Sequence, residues 1–193
     1  MATKSAAMKN SAKEKSLDEL RYPIGKFVMP QVFSEKEISA WIKTIEKFPM
    51  HLKEETGNLT NKKLKWKYRP DSWCIRQVVH HCADSHSNAL TRFKLALTEN
   101  NPTVKPYLES LWAELPDSNA EPVDSSLKIV SGVHHRLVVV LKSMSVNDFE
   151  RTYFHPESNR IWKLYEVLAL YAWHCNHHFA HIKQAKKYKG KFE

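Results

Sequence analysis

Glycine is scarce, four in 193 residues, which argues against a sheet-and-turn protein and against Gly-rich phosphate loops. Cysteine is scarcer still. Three thiols, an odd number without framework spacing, exclude a disulfide-stapled scaffold and fit a reducing compartment. No run of about 18 apolar residues occurs, so no transmembrane helix is expected. The first fifteen residues have no apolar h-region and no Arg, and they include Glu14, which argues against a secretory signal and a mitochondrial presequence. The expectation is a cytoplasmic protein with a disordered basic tail over 1–19 and one domain over 20–193.

The net charge of +9 suggests nucleic acid until it is located. Residues 1–15 contribute +3, residues 62–69 contribute +5 and residues 183–193 contribute +4, leaving about −3 for the rest of the chain. The basic charge therefore sits at two tails and one loop, not along a recognition helix, and specific nucleic-acid binding is not expected.

Apolar residues recur at helical spacing over long stretches. Ser34 with Glu37 reads as a capping box for a helix over about 35–56, which Pro49 is expected to kink or divide. The segment Pro70, Asp71, Ser72 offers an N-cap for a helix over about 72–99. Residues 102–124 hold four prolines and read as a long irregular crossover. Asp124 is placed to cap a third helix over about 125–144. Residues 149–159 read as extended or looped, and a last helix spans about 161–188. Four long helices and a crossover between the second and third predict an all-α four-helix bundle, with sites built from facing helices.

What the chain has in abundance is histidine, eleven in all. Four fall in the octet His174–His181, and His80, His81 and His86 form a second cluster on the second helix. Imidazole is the commonest protein metal ligand, so two clusters on facing helices point to a metal site. On the second helix, His81 heads a polar stripe with Ser85, Asn88 and Arg92 beside the apolar face, whereas His80 reads as more exposed. Cys82 and Cys175 lie at the centres of their apolar faces and read as packed thiols. In the octet, His174/His178 and His177/His181 both have i,i+4 spacing. Periodicity does not choose between them. His51, His134, His135 and His155 stand apart from the pattern.

Several stretches together carry a resemblance: YPIGKF from Tyr22, YRPDSWCIRQVVHHCADSH from Tyr68, RFKLALTE from Arg92, PYLESLWAEL from Pro106, YFHPE from Tyr153 and WHCNHHFAHI from Trp173. They span about residues 20–187, and in them the chain resembles the DinB-like superfamily, specifically its YfiT-type metal-dependent hydrolases. The resemblance implies a DinB-like four-helix bundle, a homodimer, and one divalent ion, zinc first and nickel as alternative. It implies three histidine ligands, carried over by motif position as His81, His177 and His181. The family pattern often has three consecutive histidines where this chain has Asn176, His177, His178, a departure outside the implied ligands.

Three neutral imidazoles leave a divalent ion its full charge and an open position, as in catalytic rather than structural sites. Water activation against a small-molecule substrate is the first expectation. Transfer of a low-molecular-weight thiol to an electrophilic small molecule is the close alternative, and a non-catalytic metal-binding stress-response protein the third. Asp84, one turn from His81, is the candidate to orient an imidazole. Ser85, Asn88 and Arg92 are candidates for the substrate side, with His174 and His178 as neighbours shaping the site. No catalytic acid or base can be named from the sequence.

Overall fold

The helix caps fix where the long elements begin. The computed structural model describes residues 16–192. Helix α1 (Leu17–Arg21) starts at Ser16 with a capping box to Glu19, so the last part of the expected tail is structured; residues 1–15 lie outside the described residues. Helix α2 (Glu35–Thr56) has the expected box: Ser34 Oγ accepts the Glu37 N–H at 3.3 Å, and the Glu37 carboxylate accepts the Ser34 N–H at 2.8 Å. Pro49 does not divide α2, which runs unbroken through it.

Short α3 (Asn61–Leu64) precedes α4 (Ile75–Thr98). Ser72 does not cap α4. Its hydroxyl instead ties the loop, accepting from the Tyr68 and Arg69 amides, while Cys74 is the N-cap and the Gln77 side chain accepts its N–H. The crossover holds α5 (Glu109–Trp112) and α6 (Pro116–Asn119), then α7 (Asp124–Ser143) begins with Val123, not Asp124, as its N-cap. A 3-10 turn (Asn147–Glu150) leads into β1 (Thr152–His155), paired antiparallel with β2 (Arg160–Lys163), Thr152 opposite Lys163 and His155 opposite Arg160. The last helix, α8 (Leu164–Tyr188), follows β2 directly. Residues 161–163, expected as helix, are strand instead, because Asn159 turns with φ 45° and brings Ile161 and Trp162 against Phe154 and Tyr153.

The four long helices close a ring in which α2 packs on α8, α8 on α4, α4 on α7 and α7 on α2. Ile45 and Leu52 from α2, Phe93 from α4, Val130 and Leu137 from α7, and Leu168 and Ile182 from α8 meet in a core with essentially no solvent exposure. Cys82 and Cys175 are fully buried thiols in that core, as expected.

Polar side chains of α4 fasten the crossover to the bundle. Arg76 donates to the carbonyls of Asn119 and Ala120, and Gln77 to that of Ala113. His80, expected to be more exposed, is buried between Ser126 Oγ at 2.7 Å and the Glu121 carbonyl at 3.3 Å. Arg151 donates to the carbonyls of Ala96 and Glu99 at the C-terminal end of α4, where helix oxygens lack amide partners. The N-terminal arm is tied along α8: Gln184 donates to the carbonyls of Leu20 and Tyr68, and Trp173 Nε1 to that of Gly25. Arg21 and Tyr22 are thereby carried to the cleft described below.

Phe93→Ala removes a fully buried ring from the centre of this core. It should cost about 3–5 kcal/mol in urea unfolding, against about 1 kcal/mol for Ser34→Ala at the α2 cap. Equal midpoint shifts for the two variants would contradict this ranking.

Candidate metal centre

Helices α4 and α8 face one another at the floor of a cleft of about 540 Å³. From α4 comes His81; from α8, one turn apart, come His174 and His178. The Nε2 atom of His174 lies 3.2 Å from Nε2 of His81 and 3.1 Å from Nε2 of His178. One ligand atom from each of these three residues lies within 4.8 Å of the others. Donors on a tetrahedral zinc ion with bonds of about 2.0–2.1 Å are separated by roughly 3.3 Å, so the arrangement fits a metal.

The protonation state fits as well. Burial holds His81 down to about 4, and it holds His174 and His178 well below the ordinary histidine value, with neighbouring imidazoles adding to the effect. At neutral pH all three rings are uncharged, the form that donates a lone pair to a metal. Among the described residues, no salt bridge joins a carboxylate to them.

His177 and His181 do not join His81 in such a group among the described residues. They sit on the neighbouring flank of α8 and line the cleft with other partners. His181 stacks on Tyr68 at 3.7 Å between ring centroids, 9° from parallel, and its Nε2 bonds the Arg21 carbonyl at 3.0 Å. A carbonyl only accepts, so that nitrogen carries the proton, which leaves the lone pair of His181 on Nδ1, buried without a partner. His177 stacks on Trp173 at 4.3 Å. The structure thus brings His81 together with His174 and His178, the i,i+4 pair that the sequence reading placed in the surroundings.

The other sequence candidates divide. Ser85 and Arg92 line the cleft, and the Tyr171 hydroxyl donates to the Ser85 carbonyl at 3.1 Å. Arg92 keeps a buried Nε without a hydrogen-bond partner. Asn88 does not reach the cleft: it donates to the Asp84 carbonyl on its own helix. Asp84 also lies off the cleft lining, and none of the hydrogen bonds among the described residues joins it to His81. Its carboxyl is pushed up to about 6, first by burial and then by Asp117.

Behind the three rings lies a pair the sequence reading left out of the site. His86 Nε2 meets His174 Nδ1 at 3.0 Å, and His86 Nδ1 meets His134 Nε2 at 2.5 Å. His134 Nδ1 in turn bonds the Ile45 carbonyl at 2.6 Å. The signal was present in the sequence: Leu127, Val130, His134, Leu137 and Leu141 form one helical stripe, which places His134 among core residues. A buried imidazole there needs partners for both nitrogens.

These imidazoles make the metal-free protein acid-labile. Folded values of about 4 for His81, His134 and His177, and about 3 for His181, lie below the free-histidine 6.5. Between those limits the unfolded chain binds protons that the folded rings refuse, so stability is full above about 6.5 and falls as pH drops toward 4. Urea midpoints with a chelator present should fall steadily from about pH 7 to about pH 5. An unchanged midpoint over that interval would mean that the rings are solvated.

Residues 44–182 match the DinB superfamily. Two Bacillus cereus proteins named "Putative metal-dependent hydrolase" (strains B4264 and G9842) are each 48% identical over 171 residues, covering 89% of this chain and 98% of the relative. A protein of the same name from Bacillus anthracis is 47% identical over the same length. Among solved structures, YfiT from Bacillus subtilis, described as a probable metal-dependent hydrolase with an unusual four-helix bundle topology, superposes with a TM-score of 0.86. It is 38% identical, and the match covers 90% of this chain and 99% of YfiT. In sequence, bundle architecture and extent of match alike, the chain belongs to the DinB superfamily.

Proposed function

We propose that the chain is a metal-dependent hydrolase of small molecules, with His81, His174 and His178 holding one divalent ion at the cleft floor. The carrying observation is the convergence of three neutral Nε2 atoms on an open cleft. Zinc is the proposed ion and nickel the alternative, since imidazole suits both. When bound, such an ion supplies Lewis-acid chemistry, acidifying water and polarising an electrophilic bond.

The residues around it divide the remaining work. Trp73, which lines the cleft, leans over His81 with ring centroids 4.8 Å apart. Arg92 and His155 line the cleft and would orient a polar substrate. Among the described residues no fourth His, Cys, Asp or Glu joins the cluster. An open site of this kind supports catalysis over storage.

Thiol transfer to an electrophilic small molecule is the second reading, and one observation favours it. Arg21, Arg69 and Arg92 all line the cleft, the cations that a carboxylate-bearing thiol needs. Substrate loss without added thiol supports hydrolysis; loss that requires stoichiometric thiol consumption supports transfer.

Metal analysis of purified variants tests the ligand set. Alanine at His81, His174 or His178 should remove bound metal, while alanine at His177 or His181 should retain it. Retention in the first group with loss in the second would move the ligands to the neighbouring face of α8.

A further inference from the structure

Pro49 lies inside α2, where it has no N–H to offer the carbonyl four residues earlier. That carbonyl belongs to Ile45, and it accepts instead from His134 Nδ1 on α7 at 2.6 Å. From this one contact the direction of every following hydrogen bond is fixed. A carbonyl cannot donate, so His134 carries its proton on Nδ1, and its neutral ring offers a lone pair at Nε2. Opposite that lone pair stands His86 Nδ1, 2.5 Å away, which must therefore hold the proton. His86 Nε2 is then an acceptor and faces His174 Nδ1 at 3.0 Å. His174 donates there, which leaves its Nε2 bare between His81 and His178.

We infer that Pro49, the Ile45 carbonyl, His134 and His86 form a tautomer chain that presents His174 Nε2 as a lone pair to the metal. This rests on the ligand set proposed above. His134 and His86 are positioning residues. They touch neither substrate nor ion, and no net proton moves along them.

The packing holds the chain in one arrangement. The His86 and His134 ring planes lie 19° from parallel, and their 4.7 Å centroid separation is close to the 2.5 Å nitrogen–nitrogen distance plus a ring radius at each end, so the bond between them runs near the ring planes, where imidazole donors and lone pairs point. Phe48, one turn of α2 beyond Ile45, stacks on both rings at 5.5 Å, and Tyr171 meets His86 edge-on at 5.3 Å. His86 and His134 are each about 1% exposed, so water does not compete for their nitrogens.

The same two rings and Cys175 also form a group whose ligand atoms lie within 4.8 Å of one another. It is not a second metal site. Two nitrogens 2.5 Å apart share a proton, whereas donors on one ion stand roughly 3.3 Å apart, and burial keeps the Cys175 thiol protonated.

Two measurements on the full-length protein test the chain. Long-range proton–nitrogen correlation spectra of histidine-labelled, metal-free protein should show His86 and His134 both as Nδ1–H tautomers. An Nε2–H tautomer at either residue overturns the proposal. Zinc affinity, measured by competition with a chelator, should fall about 10–100-fold in His134→Leu. It should return to within a few-fold of wild type in His134→Gln, whose amide can donate to Ile45 and accept from His86. Equal loss in both variants, or no loss in either, overturns it too, since packing alone would then account for His134. If His134→Leu does not fold, the spectra of the wild-type protein decide. Failure of the ligand set has a different signature: metal retained in His174→Ala, with the tautomers of His86 and His134 unchanged.

Discussion

Burying neutral imidazoles is the constraint on which this molecule is built. Seven histidines are buried, and among the described residues no salt bridge pairs any of them with a carboxylate. Each neutral ring has one donor and one acceptor, and each nitrogen left unmatched in the interior costs about 1–3 kcal/mol. For three of the seven the fold answers with backbone carbonyls, which only accept, while Nδ1 of His177, His178 and His181 stays without a partner. Ile45 receives His134, Glu121 receives His80 and Arg21 receives His181. At these three residues the tautomer is set by the main chain, from α1, α2 and the crossover, and the segments that carry those carbonyls decide which ring nitrogen remains as a lone pair.

Much of the bundle was legible in the sequence because apolar periodicity and caps are local. The Ser34–Glu37 box begins α2 where expected, and α7 matches its expected span within a residue. The misplaced details depend on what lies opposite. Ser72 has the chemistry of an N-cap, but its hydroxyl is taken by the loop amides of Tyr68 and Arg69. Residues 161–163 have helical neighbours, yet hairpin pairing with 152–154 claims them.

The histidine octet shows the same boundary at the site. Two i,i+4 pairs on adjacent flanks of one helix are equivalent by phase, and only the partners of each flank separate them. His81 from α4 meets His174 and His178. The N-terminal arm and the loop before α4 meet the other pair, with Arg21 and Tyr68 engaging His181 and Tyr22 lying 5.9 Å from His177. Motif position had pointed to His177 and His181, and nothing in one helix alone contradicts that choice. His134 was missed for the opposite reason. Its stripe marked it as core, but its role depends on a carbonyl freed by a proline on another helix.

The division of labour between scaffold and cleft bears on what the site can select. The three converging histidines stand on α4 and α8, whose packed faces fix their positions, and rigid elements hold ligands more tightly than loops do. The opposite wall comes from separate segments: Arg21 and Tyr22 from the arm, Arg69 and Trp73 from the loop, Tyr107 from the crossover and His155 from the hairpin. Apart from Trp73, which packs on His81, that wall can change in shape and charge while α4 and α8 keep the three nitrogens in place. Under the proposed function, hydrolysis and thiol transfer would be two uses of one floor. On that reading the choice between them would lie with the cations and aromatics above it, since those groups set whether a thiol carboxylate can be held beside Arg92.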